Sequence, residues 1–236
     1  MRAAALARKS HKWLTMLIAI QTVLWAVSGL YMVSVPIEII HGDHFVHGHH
    51  EPVPPLDHVR YEVDDIRQRY GEIHGLRVKS LADRPAYVVE TSRGTVLVDA
   101  VEGTELSPLG EETIRDLARR NYVGEGRITS VTLLQTLPLE VQARKPPLWQ
   151  VQFEGWNNHT LYFSPTTGDM VARRHQLWRL FDFVWMFHIM DYESRTDVNN
   201  TLLRVATIVG VLATGSGLWL LFYSFRRARR ARDARV

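Results

Sequence analysis

The chain has 236 residues, no cysteine, and 28 basic against 25 acidic side chains. That length allows one or two domains, and the missing thiol excludes disulfides, thiolate metal sites and cysteine nucleophiles. Charge is unevenly placed: ten of the basic residues lie in segments 1–12 and 226–236 with one acid, Asp233, leaving 18 basic against 24 acidic residues between them.

Residues 1–35 read as a basic start followed by a first transmembrane helix. Positions 13–35 carry no charge and are long enough to cross about 30 Å of hydrocarbon. Trp13 and Tyr31 stand near its two ends, as interfacial aromatics do. No small-residue cleavage pattern follows Val35, so the segment is expected to be retained rather than removed as a signal peptide. Pro36 ends or kinks it.

Residues 36–56 read as a His- and Pro-rich linker. His41, His44, His47, His49 and His50 fall within ten residues, and with Asp43 they could take a transition metal through imidazole. An unstructured polar linker with weak metal affinity is the competing reading.

From 57 to 172 the pattern is that of an α+β domain built from two similar units, 57–108 and 109–172. In the first, Val63, Ile66, Tyr70 and Ile73 fall at helical spacing. Strands are expected at 76–81, 86–91 and 95–99. In the second, Ile114, Leu117 and Ala118 mark one face of a helix over 111–121, with Glu111 and Glu112 in its first turn, where the helix dipole favours acids. Strands at 129–136, 148–153 and 160–164 follow. Both units close on an apolar strand running into a turn with glycine, Gly103 in one and Gly168 in the other, where a positive φ is expected. The same ending behind the same element order points to a tandem repeat.

Residues 173–200 form an amphipathic juxtamembrane segment rich in aromatics, carrying His175 and His188, and then a polar connector. Residues 201–225 are the second transmembrane helix and 226–236 a basic tail. Ala206, Gly210, Thr214 and Gly217 place small residues where helix backbones can approach closely. Ser28-Gly29 and Ser216-Gly217 are matching steps on the two spans, expected near opposite membrane faces because the helices run in opposite directions. Basic flanks stay inside, which puts both termini in the cytoplasm and the middle outside. Beside a span, the basic tail reads as an anchor, so no nucleic-acid partner is expected.

The arrangement resembles the PepSY-associated transmembrane family of bacterial inner-membrane proteins. The resemblance rests on Arg8-Lys9-Ser10-His11-Lys12-Trp13 leading to Ser28-Gly29-Leu30, on Ser164-Pro165-Thr166-Thr167-Gly168 with Asp169 after an apolar strand, and on Phe187-His188 near the membrane. It implies an α+β membrane protein with two transmembrane helices flanking a periplasmic tandem PepSY-like domain. Some members resemble ferric-siderophore reductases, in which helix histidines hold haem b. His11 and His188 stand at the matching positions, and His175, beside Arg173 and Arg174, is a third candidate. The chain departs from those members in having two spans where they have four or more, and in lacking a cytoplasmic flavin or nicotinamide domain. The competing readings are local: His11 as an interfacial residue among snorkelling lysines, and His188 as the polar tip of a helix lying on the outer leaflet.

At the two ends of a span, His11 and His188 would lie about 30 Å apart and could not share one haem. Each would then need a ligand from a second copy or another membrane subunit. The expected function is haem-dependent electron transfer to periplasmic ferric iron or another metal. The alternative is a non-enzymatic accessory protein whose PepSY domain binds or regulates a peptidase, transporter or sensor.

Overall fold

The computed structural model describes residues 2–46 and 58–233; His47, His49 and His50 lie outside them. The described chain divides into two compact units, 36–180 and a second made of 1–35 with 181–236.

In the first unit, α3 (Val63–Tyr70) precedes an antiparallel sheet of β1 (Ile73–Leu81), β2 (Arg84–Thr91) and β3 (Gly94–Asp99). The order then recurs: α4 (Glu111–Asn121) precedes β4 (Ile128–Leu134), β5 (Leu148–Phe153), β6 (Thr160–Phe163) and β7 (Met170–Arg174), paired in sequence order. Neighbours along the chain are neighbours in each sheet, which needs only short connections.

β2 shows why five consecutive residues, Pro85 to Val89, are buried rather than every second one. Successive side chains alternate between sheet faces, and both faces are covered. Ala86 and Val88 join Ile114, Leu117 and Ala118 of α4 and Val151, Phe153, Leu161 and Phe163 of the second sheet in one core. Tyr87 and Val89 join Ile66 of α3 and Val98 in another. Helix α4 thus carries its apolar stripe into the main core, as its heptad-like spacing requires. Leu117 is 1 % exposed, and truncation of a leucine buried so completely costs about 2–5 kcal/mol.

The two turn glycines take the conformation their sequence demands, Gly103 at φ +70° and Gly168 at φ +71°. Hydrogen bonding matches as well. Gly103 N–H donates to Asp99 O and Asp99 N–H to Thr104 O, at 2.9 and 2.8 Å; Gly168 N–H donates to Ser164 O and Ser164 N–H to Asp169 O, both at 2.9 Å. The Asp99 carboxylate accepts from Val101 N–H and Glu102 N–H, and the Ser164 hydroxyl accepts from Thr166 N–H and Thr167 N–H. After the first turn the chain makes one bridge, Val98 to Glu105, whereas after the second it continues as β7.

Three expectations change. Ile73 belongs to β1 rather than α3, because Gly71 at φ +77° ends the helix. Residues 41–46, expected as linker, are packed: α2 (Ile37–His41) and a 3₁₀ turn, Asp43–Phe45, bury Ile40 and Val46, and Val46 bridges Tyr122. β7 was not foreseen as a full strand.

In the second unit, α1 (Arg2–Ser34) and α6 (Thr201–Asp233) run antiparallel, with His11 against Gly217 and Trp25 against Gly210. Ala206, Ala213 and Ile18 form the buried seam. The close-approach face is therefore Ala206, Gly210, Ala213 and Gly217, and Thr214 turns to an adjoining groove. Both helices are long and apolar enough to cross a membrane, 30 and 27 residues by that measure. Their large side chains face outward, Leu17 at 73 %, Ile20 at 78 % and Phe222 at 60 % exposure, as lipid-facing surfaces are and the core helices of soluble proteins are not.

Candidate functional site

The C-terminal turn of α5 (Gln176–Ile189) is held against α1 and the start of α6. The last carbonyls of a helix have no partner within it. Here Gln21 Nε2 donates to Phe187 O at 2.9 Å, Trp25 Nε1 to His188 O at 2.8 Å and Asn200 Nδ2 to Ile189 O at 2.8 Å. Gln21, a polar residue inside an apolar span, is thereby satisfied. The polar connector folds back on the same helix: Arg195 pairs with Asp182 at 2.6 Å, and Asp191 accepts from the backbone N–H groups of Glu193, Ser194, Thr196 and Asp197.

These contacts leave a groove of about 970 Å³ among α1, α5 and α6, apolar in its walls and lined by Thr22, Trp25, Thr207, Thr214 and Leu218, with His11 and His188 also on its surface. Small-molecule and cofactor sites run roughly from 300 to 1,000 Å³. The second unit contains no other histidine.

The two Ser-Gly steps hold the two rings. The His11 ring places Nδ1 2.9 Å from Ser216 Oγ and 3.0 Å from Ala213 O. Ser216 donates its own proton to Ala213 O at 2.7 Å, so Nδ1 must be the donor and Nε2 carries the lone pair. At the other end His188 Nδ1 lies 2.7 Å from Ser28 Oγ, which is itself 2.6 Å from Leu24 O and 3.2 Å from Trp25 O. When the Ser28 proton goes to one of those carbonyls, Nδ1 of His188 donates to Ser28 Oγ and its Nε2 carries the lone pair. A metal-ligating histidine has this arrangement, its other ring N–H fixed by an outer partner. Gly217 makes room for one of them: a Cβ there would stand 2.9 Å from His11 Cε1. The steps were visible in the sequence as a matched pair, but their pairing with His11 and His188 was not anticipated.

His11 and Ser28 are 17 positions apart on one continuous helix, which at 1.5 Å per residue is about 25 Å. The two histidines thus sit at opposite ends of the groove and cannot approach one iron atom together.

His175 lies in the other unit. It is 1 % exposed, with Nε2 3.0 Å from Ile40 O and Nδ1 without a hydrogen-bond partner. Around it His44, Phe45 and His159 bring their rings within 6.5, 5.4 and 6.0 Å of its centroid. His159 is fixed by Tyr122 Oη at 2.8 Å and Asn157 Nδ2 at 3.0 Å. Burial pushes the His159 pKa down to about 4, helped by the neighbouring His175, His44 and Arg179. Burial also lowers that of His175, against the raising effect of the Ile40 carbonyl. Phe45 sits between these rings, and sequence reading missed the cluster because its members come from four separate segments.

Of the loop histidines, His44 belongs to that cluster and His41 lines a separate arginine-rich pocket. Among the described residues no group of three or more His, Asp or Glu is placed to hold a metal ion. Comparison of the chain with protein-family models, with curated proteins and with solved structures gave no match.

Proposed function

We propose that the protein is a bacterial inner-membrane haem-b electron carrier of the PepSY-associated transmembrane type, with both termini cytoplasmic and the 36–180 unit periplasmic. One observation carries this reading: the only two histidines of the membrane unit both line the α1–α5–α6 groove with Nδ1 already committed and Nε2 free. Neutral imidazole is a standard axial ligand of haem iron, and helix bundles are standard places to present it. The groove's apolar wall suits a porphyrin face, and Arg8, Lys9 and Lys12 lie close in sequence to His11, where carboxylate substituents would be held.

The bound haem would supply one-electron chemistry. The chain's own part is to hold the two ligand nitrogens, fix their tautomers through Ser28 and Ser216, and line the groove with apolar side chains. Because the histidines are about 25 Å apart, six-coordinate iron needs a second ligand at each end. A two-fold dimer supplies the same residue from the second copy at both ends. Two copies bring four spans and two haem positions. Electron transfer to periplasmic ferric iron or another metal is the role this arrangement supports.

The test is the absorption spectrum of detergent-purified protein, oxidised and dithionite-reduced. A Soret band with a sharp reduced α-band, lost in the His11→Ala, His188→Ala double variant, is the expected result. Protein that carries no haem when expressed with haem in excess supports the alternative reading, an accessory protein acting through its periplasmic unit.

A further inference from the structure

Residues 37–45 form a strap across the ring of His175. The strap consists of α2, five residues long, then Gly42 at φ +72° and one 3₁₀ turn, and Ile40 is its one buried side chain. A helix this short does not hold in isolation, so the strap keeps its place through a few contacts to the rest of the 36–180 unit. Ile40 O lies 3.0 Å from His175 Nε2, Phe45 O accepts from Val123 N–H at 3.0 Å, and Asp43 pairs with Arg173 at 2.7 Å. Backbone lies directly on the ring, since a Cβ at Gly42 would stand 3.1 Å from His175 Cδ2. Val46, in the main core and bridged to Tyr122, anchors the far end.

A carbonyl can only accept, so Nε2 of His175 carries the proton and Nδ1 the lone pair. Nδ1 is buried and has no hydrogen-bond partner among the described residues. A proton added there would create a buried cation whose N–H lacks an acceptor. The groups bearing on the ring are His44 of the strap, His159 ahead of β6 with Tyr122 behind it, Arg179 of α5, and the neighbouring Arg173 and Arg174. The acids on these elements are engaged already: Asp43 by Arg173, and Glu140 by Arg179 at 2.7 Å and Tyr162 at 2.6 Å. Glu38 and His41, on α2, are exposed. Burial lowers the His175 pKa, opposed by the Ile40 carbonyl. His159 keeps both ring nitrogens bonded to partners outside the strap, Tyr122 and Asn157.

We propose that the strap is a proton-released clasp, in which protonation of His175 opens residues 37–45 while the two sheets stay folded. Every contact involved lies within the 36–180 unit, so neither the haem reading nor the membrane placement enters. Protonated Nδ1 needs an acceptor, and water supplies one once the strap lifts. The strap is the element that gives, because β6 beside it carries Leu161 and Phe163 into the main core. It begins just after α1 ends at Ser34, and His175 stands immediately before α5, so opening frees chain next to both helices.

The test is hydrogen exchange of the full-length protein in detergent at pH 7 and pH 5, corrected for the intrinsic pH dependence of amide exchange. The reporters are the N–H groups of Ile40, Gly42 and Phe45, bonded within the strap, and of Val123, bonded to Phe45 O. An open ring titrating near 6.5 and a closed ring that takes no proton give a rise in opening of about 25-fold over that interval. A rise of about tenfold or more at the reporters is expected, with β2 and β6 amides staying about 100-fold or more better protected than the strap. In His175→Gln, whose amide keeps a donor for Ile40 O, the rise should shrink to about threefold or less. No rise at the wild-type reporters, strap amides as protected as those of β2 and β6 at pH 5, or an undiminished rise in His175→Gln overturns the proposal. The wild-type comparison of strap with sheets decides the matter if His175→Gln does not fold.

Discussion

Acidification below about pH 6.5 should loosen the 36–180 unit, and the histidines around Phe45 set the window. The His159 pKa is about 4 in the folded protein, against about 6.5 when unfolded. Between those values the unfolded chain takes up a proton that the folded chain refuses, so stability falls as pH falls. The full difference corresponds to about 3.5 kcal/mol at about 1.4 kcal/mol per pH unit; because the ring is partly solvated, about 2 kcal/mol is the better expectation. His175, lowered in the same direction, adds to the slope. For a unit of this size about 2 kcal/mol corresponds to a Tm drop of roughly 4–8 °C. The assay is Tm by intrinsic fluorescence of full-length protein in detergent from pH 7 to pH 4.5. The Lys79-paired Asp169, held below its usual range, contributes only in more acidic solution, so it leaves this window clean. His159→Gln should flatten much of the slope. A wild-type Tm that stays constant to pH 4.5, or a His159→Gln profile identical to wild type, would refute the reasoning.

Other perturbations follow from particular contacts. Gly168→Ala meets both a left-handed φ and crowding, since its Cβ would lie 2.9 Å from Leu81 and Leu109 methyls and 3.1 Å from Leu117. It should cost about 2–4 kcal/mol in chemical denaturation, whereas Gly94→Ala, also at positive φ but in open space, should cost about 1 kcal/mol. Ser28→Ala removes the hydroxyl that orients His188, and haem affinity measured by titration of apoprotein should fall about 10–100-fold while Tm in the absence of haem changes little; Ser216→Ala should cost less, because Ala213 O still holds His11 Nδ1.

Much of the 36–180 unit was readable because its signals are local. The bounds expected for α4 and β5 match the structure, and the turn glycines Gly103 and Gly168 announced positive φ from their positions between apolar runs. What escaped the sequence depended on distant partners. β7 has only Met170, Val171 and Ala172 before two arginines, too short an apolar run to separate from the following helix. Phe45 and Val46 gave the one hint that residues 41–46 pack, but Gly42 and the histidines around it masked that hint. His175, a candidate ligand beside Arg173 and Arg174 in the sequence, lies in the 36–180 unit; burial of its ring under Gly42 and Phe45 comes from a segment about 130 positions earlier. In the unit made of 1–35 and 181–236, long uncharged runs found the two apolar helices. They could not show that Ser28 and Ser216 each hold a histidine, because those pairs join residues 160 and 205 positions apart.

The central claim, that His11 and His188 each present one haem ligand to a site completed by a second copy, is tested most directly by haem stoichiometry in single variants. Haem per chain should be close to one in the wild-type dimer, about half in His11→Ala, about half in His188→Ala, and negligible in the double variant. Each single variant should keep a low-spin six-coordinate spectrum for the haem that remains. Unchanged haem content in both single variants, or wild-type protein that stays haem-free in the presence of excess haem, would contradict the account.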